Sequence, residues 1–121
     1  MAGTTGFTIA HRDDLERTGG WLLVRRTLGL SAFGINLVEI EPGQRIPEHD
    51  ETGRDQEEVF LVLAGDAALI IDGDAHPAPA GTFARLDPSV RRTVENTGSE
   101  TASVLIMSAP RDSGYAPMEW A

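Results

Sequence analysis

Residues 42–65 read PGQRIPEHDETGRDQEEVFLVLAG: one histidine, six carboxylates and two arginines between turn-forming segments, ending in an apolar run. Pro42-Gly43 turns the chain, 45–51 reads as a short strand, 52–56 as a polar loop and 57–64 as a strong strand. Side chains alternate faces along a strand, so His49 and Glu51 share one face, and Glu58, Phe60 and Val62 share another. If the two strands pair with those faces inward, His49, Glu51 and Glu58 converge inside a barrel. The competing reading is plainer: a lone histidine among carboxylates is a surface residue, and DETGRDQEE is a solvated loop.

Outward from this stretch, glycine and proline punctuate the chain at short intervals, and most segments between them read as strands. FTIA (7–10) is short and alternating. DDLERTGG (13–20) holds one helical turn, with Asp13 as the capping candidate. WLLVRRTL (21–28) and FGINLVEIEPG (33–43) follow as strands. EVFLVLAG and DAALIIDGDA form the clearest hairpin, because Asp72-Gly73 suits a two-residue turn with positive φ. GTFARLDP, RRTVEN and TASVLIMSAP complete seven to nine strands with no amphipathic helix, which leaves a β-sandwich or a small antiparallel barrel.

The chain of 121 residues, 40% hydrophobic, fits one domain, 1–121, with one modest core. Within it, 7–34 are N-terminal strands, about 35–109 the barrel, and 110–121 a polar tail whose Tyr115 or Trp120 could cap the barrel mouth. The formal charge of −9 repels nucleic acid and anionic membranes, so neither is an expected partner. Cysteine is absent, which excludes disulfides and thiolate metal sites. With no apolar span and no signal-like N-terminus, a cytoplasmic protein is the expectation.

The pattern Gly43-x5-His49-x-Glu51…Glu58-x6-Gly65 resembles the first motif of the cupin superfamily, G-x5-H-x-H-x3-4-E-x6-G. The second motif is met in part by Gly73-x5-Pro79-x-Gly81 and, after a longer gap, by Arg92-x3-Asn96. The resemblance runs from about Glu39 to Met107 and is nearest to small single-domain bacterial cupins. It implies an all-β fold, an antiparallel jelly-roll or double-stranded β-helix with its site in the interior, and a homodimer. In metal-binding cupins three histidines and a glutamate hold the ion. Carried over, those positions are His49, Glu51, Glu58 and Arg92, and the loop before Glu58 is longer than the pattern.

Arginine cannot do the work of the third histidine. Imidazole ligates through a neutral nitrogen lone pair; a guanidinium has none and stays charged at working pH. Arg92 would instead neutralise a buried carboxylate, so no cofactor is expected. The alternative is a divalent manganese, iron, zinc or nickel ion on His49, Glu51 and Glu58, two carboxylates favouring hard ions such as manganese or magnesium. Arg91 is Arg92's rival for the inward position, and the Arg92-x3-Asn96 spacing favours Arg92.

The leading reading is a cupin binding a small polar or neutral ligand without a metal. His49 would be the general acid or base, and Glu51, Glu58, Arg92 and Phe60 would contact ligand. Isomerisation, epimerisation or a sensor role would fit. Two carboxylates against one arginine leave the pocket at −1, which disfavours a strongly anionic ligand. A dioxygenase-type metalloenzyme and a structural protein acting through a dimer surface are the alternatives. Val62, Phe83 and Leu37 are further candidates for an apolar lining. Trp21 and Trp120 are assigned to interface packing, His11 and His76 to the surface, and Arg85 to either face.

Overall fold

The computed structural model describes residues 2–121, with side chains from residue 5 onward. Two antiparallel sheets face each other. The larger contains β3 (Arg17–Thr18), β4 (Trp21–Leu22), β5 (Gly34–Ile40), β6 (Gln56–Ala64), β9 (Phe83–Leu86) and β11 (Ala102–Pro110), in the order β3-β4-β5-β11-β6-β9. The smaller contains β7 (Asp66–Ile71), β8 (Asp74–Pro79) and β10 (Arg92–Asn96), in the order β10-β7-β8. A separate hairpin of β1 (Ala2–Thr4) and β2 (Phe7–Ile9) precedes them. The fold is thus the all-β jelly roll expected.

The core lies between the sheets, where Val38, Ile40, Phe60, Val62, Val104 and Ile106 from one meet Ala67, Leu69 and Val94 from the other. Period-2 alternation explains which side chains arrive there: on β6, Glu58, Phe60 and Val62 are buried and their neighbours are not. The chain passes from one sheet to the other at Gly65. Its φ is +84°, and a Cβ there would sit 2.9 Å from Ala102 Cα, so only glycine fits. The β7–β8 hairpin closes on Asp72 and Gly73 at φ 49° and 88°, the two positive values a type I′ turn requires.

Several local expectations are corrected. Residues 45–51 do not form a strand; their backbone pairs with β10 only at isolated bridges, Arg45 to Glu95 and His49 to Arg92. Pro47 lies between the bridges and has no N–H to give a ladder. His49 and Glu58 therefore come from opposite layers rather than paired strands, and meet across the sandwich. The segment 21–28 is a strand only at Trp21–Leu22 and then becomes α1 (Val24–Leu28). Arg25, Arg26 and Leu28 are good helix formers, and the helix ends in a Schellman pattern. Leu30 N–H donates to the Arg25 carbonyl at 3.0 Å and Gly29 N–H to the Arg26 carbonyl at 3.3 Å.

The helical turn expected over 13–20 is instead a single 3₁₀ turn, Arg12–Asp14, capped by His11 Nδ1 accepting from Asp13 N–H at 3.1 Å. Phe83 is no interior residue: it stands on edge strand β9 and is 70% exposed. Arg85 on the same strand faces outward and pairs with Glu57 and Asp87. The tail is tied to the body by Arg111, whose Nη2 is 2.8 Å from Asp55 Oδ1. Tyr115 and Trp120 are exposed and do not cap the cavity at His49. Among the described residues, no helix is long and apolar enough to cross a membrane.

Candidate functional site

Glu58 is the first buried residue of β6 and is fixed by pairing opposite Leu86 of β9 and Ser108 of β11. Its carboxylate lies inside the sandwich, 7% exposed. His49 is held from the other layer by two backbone bonds with Arg92, His49 N–H to the Arg92 carbonyl at 3.0 Å and Arg92 N–H to the His49 carbonyl at 2.9 Å. Glu51 N–H donates to the Pro88 carbonyl at 2.8 Å, which anchors the next turn of chain.

The three residues converge as expected. His49 Nε2 is 3.4 Å from Glu51 Oε1 and 3.8 Å from Glu58 Oε1. His49 Nδ1 lies 3.0 Å from the Pro47 carbonyl, which can only accept. Nδ1 therefore carries the hydrogen, and Nε2 turns its lone pair toward the two carboxylates. Three acceptor atoms facing one another need a positive centre among them, either a proton or a cation.

Arg92 takes the inward position and Arg91 the outward one. Arg91 Nε pairs with Glu48 at 2.6 Å on the surface, whereas Arg92 is fully buried. Arg92 Nη1 donates to the carbonyls of Asp87, at 3.2 Å, and Val90. Its Nη2 stands 3.2 Å from Glu58 Oε1, within ion-pair reach but off the hydrogen-bond axis. Glu58 Oε1, Arg92 Nε and Arg92 Nη2 are consequently buried without a hydrogen-bond partner. Arg92 does not reach the cavity wall; it sits behind Glu58. Asn96, four residues on, has a structural role. Its Nδ2 donates to the Ile40 and Glu100 carbonyls at 2.7 Å each, and its Oδ1 accepts from Gly98 N–H.

Burial pushes the Glu58 carboxyl above the ordinary glutamate range; Arg92 is the largest opposing influence and the Glu51 charge adds to the rise. A raised folded-state value makes stability greatest where the carboxyl is protonated in both states, and lowers it as pH climbs through the folded value. Carboxylates held low, such as Glu39 by its hydrogen bond to Arg17, act in the opposite sense, losing stability as pH falls. A comparison of wild type with Glu58→Gln isolates the first effect. The melting temperature of the variant relative to wild type should rise steadily from acid to neutral pH; a flat difference would mean Glu58 titrates normally.

The site opens into a cavity of about 220 Å³ whose wall includes His49, Glu51, Glu58 and Phe60. That is smaller than the roughly 300–1,000 Å³ of drug-sized pockets, and suits a molecule no larger than a monosaccharide. Val62 and Leu37 are buried but lie outside this wall, while Trp21, Asn36, Arg54, Gln56 and Ser108 belong to it and were missed. Three had a signal: Asn36 shares its strand face with Val38 and Ile40, Ser108 shares one with Val104 and Ile106, and Gln56 shares one with Glu58 and Phe60. Trp21 and Arg54 had none, because a two-residue strand and a loop carry no periodicity. His11 and His76 are exposed and outside the cavity, as expected.

The donor atoms of His49, Glu51 and Glu58 all lie within 4.8 Å of one another, which would let them face one ion. The fourth seat of the cupin pattern is filled by Arg92, beside the same Glu58 oxygen an ion would need. For a divalent ion at about 5 Å in an effective dielectric of about 20, that repulsion is on the order of 7 kcal/mol. The residues present do not fit the four-ligand centre.

Solved structures of similar fold include a cupin protein from Bacteroides fragilis, with a TM-score of 0.79 and 17% identity over 95% of this chain and 93% of that one. A structure from Silicibacter pomeroyi, named a sugar phosphate isomerase from a cupin superfamily, has a TM-score of 0.73 and 24% identity over 84% and 75%. A predicted oxalate decarboxylase from Thermotoga maritima has a TM-score of 0.69 and 18% identity over 85% and 99%. At these identities the likeness is one of fold. No curated protein matches the chain. The cupin domain family model matches residues 36–108, more than half of the sequence, and the chain belongs to the cupin family.

Proposed function

We propose that this cupin binds a small polar carbonyl compound without a metal and moves a proton on it. The observation that carries this reading is the trio of facing acceptor atoms, His49 Nε2, Glu51 Oε1 and Glu58 Oε1, which a shared proton would hold together. An imidazole and a buried carboxyl that share a proton are a matched base and acid. His49 Nε2 takes a proton from the carbon next to the carbonyl, while Glu58 gives its proton to the carbonyl oxygen. The product is an enol. Glu51, 3.4 Å away, stabilises the imidazolium so formed. Where the carbon beside the carbonyl bears a hydroxyl, returning the proton to the former carbonyl carbon while that hydroxyl gives its own proton to Glu58 isomerises the substrate. Returning the proton to the opposite face of the first carbon epimerises it. A solved cupin of similar fold carries the name of an isomerase, which agrees with this chemistry.

Proton transfer is tested without knowing the substrate. Small hydroxyaldehydes and hydroxyketones are incubated with the protein in D₂O and followed by proton NMR. Loss of the signal from the carbon beside the carbonyl, faster than in buffer, is the expected result. Binding reported by Trp21 fluorescence with no exchange in any compound would reduce the pocket to a recognition site.

One observation favours a second reading: the three donors lie close enough to share an ion. His49, Glu51 and Glu58 would then hold a hard divalent cation such as manganese, which supplies Lewis acidity to a bound oxygen.

A further inference from the structure

Resting on that acid–base reading, we infer that Arg54 is a specificity residue that docks an oxyanion, carboxylate or phosphate, at the end of the ligand remote from its carbonyl. The chain has ten basic residues, all arginines, against 19 acidic ones, so carboxylate partners are plentiful. Eight arginines hold such partners: 12, 17, 26, 45, 85, 91, 92 and 111. Arg25 donates to the Leu30 carbonyl. Among the described residues, Arg54 alone has neither an ion pair nor a side-chain hydrogen bond, and it lines the cavity that contains the acid–base trio.

The charge balance of the pocket changes with it. Glu51 and Glu58 at −1 each, with Arg92 and Arg54 at +1 each, sum to zero rather than the −1 expected without Arg54. Arg54 is thus a positive charge with no carboxylate of its own, and one anionic group on a ligand supplies a partner.

Arg54 is also tied to the body through its backbone. Its N–H donates to the Glu51 carbonyl at 3.2 Å, which ties it to a residue of the trio. The next residue, Asp55, takes φ 48° and is clamped by Arg111 through a backbone bond of 3.2 Å and a side-chain contact of 2.8 Å. The exposed Arg54 stands at the rim and the buried Glu58 within, so a ligand reaching both has its anion outward and its carbonyl inward. The insertion that lengthens the 51–58 loop relative to the cupin pattern is the segment that delivers this guanidinium.

Three sugars that differ only at one end test the inference: glucose, glucuronate and glucose 6-phosphate. Trp21 lines the cavity and Trp120 is exposed, so Trp120→Phe leaves Trp21 as the sole tryptophan reporter. Glucuronate or glucose 6-phosphate should bind roughly 10- to 100-fold more tightly than glucose, and which of them does so identifies the anion. Arg54→Gln should abolish the preference. Arg85→Gln, which removes the same charge from the outer surface, should retain it. Equal affinity for all three, no response to either charged sugar, or a preference that survives Arg54→Gln overturns the inference. Exchange in D₂O reads the underlying reaction separately. Exchange without an anion preference defeats the role of Arg54 alone, and preference without exchange defeats the proton-transfer reading alone.

Discussion

Arg92→Met should destabilise the fold by about 3–5 kcal/mol, because it leaves the Glu58 carboxylate buried without a counter-charge. The guanidinium is fully buried, lies 3.2 Å from Glu58 Oε1, and also satisfies the Asp87 and Val90 carbonyls, which the thioether cannot. For a domain of this size the melting temperature should fall by roughly 10 °C or more. Two internal controls follow from the cause. The loss should shrink at acid pH, where Glu58 is protonated and needs no partner. It should also shrink in the double variant Arg92→Met/Glu58→Leu, since an apolar pair of similar volume replaces a buried ion pair at little cost. Thermal denaturation of the four proteins measures this. A single variant within about 1 kcal/mol of wild type would place Arg92 outside any essential pairing.

His49→Gln should slow exchange of the proton beside the carbonyl by about 10²- to 10⁴-fold, the contribution of a positioned base. Glutamine fills similar space but has no basic nitrogen to take a proton. Because His49 is 39% exposed at the side chain, its removal should leave the melting temperature nearly unchanged. Glu58→Gln should slow exchange as well, since the amide cannot supply the proton the carbonyl oxygen needs. Proton NMR in D₂O checks both. Retained exchange in His49→Gln would move the base to Glu51, the other acceptor facing the cavity.

The fold was legible because its signals are local and repeated. Alternation along β6 put Glu58, Phe60 and Val62 on one buried face, and Asp72-Gly73 marked a tight turn, although that turn closes β7 on β8 rather than joining EVFLVLAG to DAALIIDGDA, which lie in different sheets on either side of Gly65. Failures fell where a pattern was too short to have a period, or where a single residue overrode it. Trp21–Leu28 reads as a strand by its apolar residues, yet helix formers and a glycine end made most of it helical. Pro47 removed the strand expected over 45–51 without moving His49 from its place.

The site was legible to the same extent. His49, Glu51 and Glu58 could be brought together because each occupies a motif position or an alternating face. That they meet across two layers depends on how the sheets stack, which no local pattern encodes. Arg92 could be chosen over Arg91 from its spacing to Asn96, and its wholly internal position explains why it pairs with Glu58 rather than lining the cavity. Arg54 was invisible because it lies in an inserted loop, where its inward reach depends on the Asp55–Arg111 clamp between segments 56 residues apart.

The most direct test of the account is the metal content of untagged protein purified without chelator, measured by elemental analysis for wild type and Glu58→Gln. A proton among His49, Glu51 and Glu58, with Arg92 supporting Glu58 from behind, predicts far less than one transition-metal ion per chain in both proteins and no gain in melting temperature on adding manganese or zinc. One ion per chain in wild type, lost in Glu58→Gln, would contradict it.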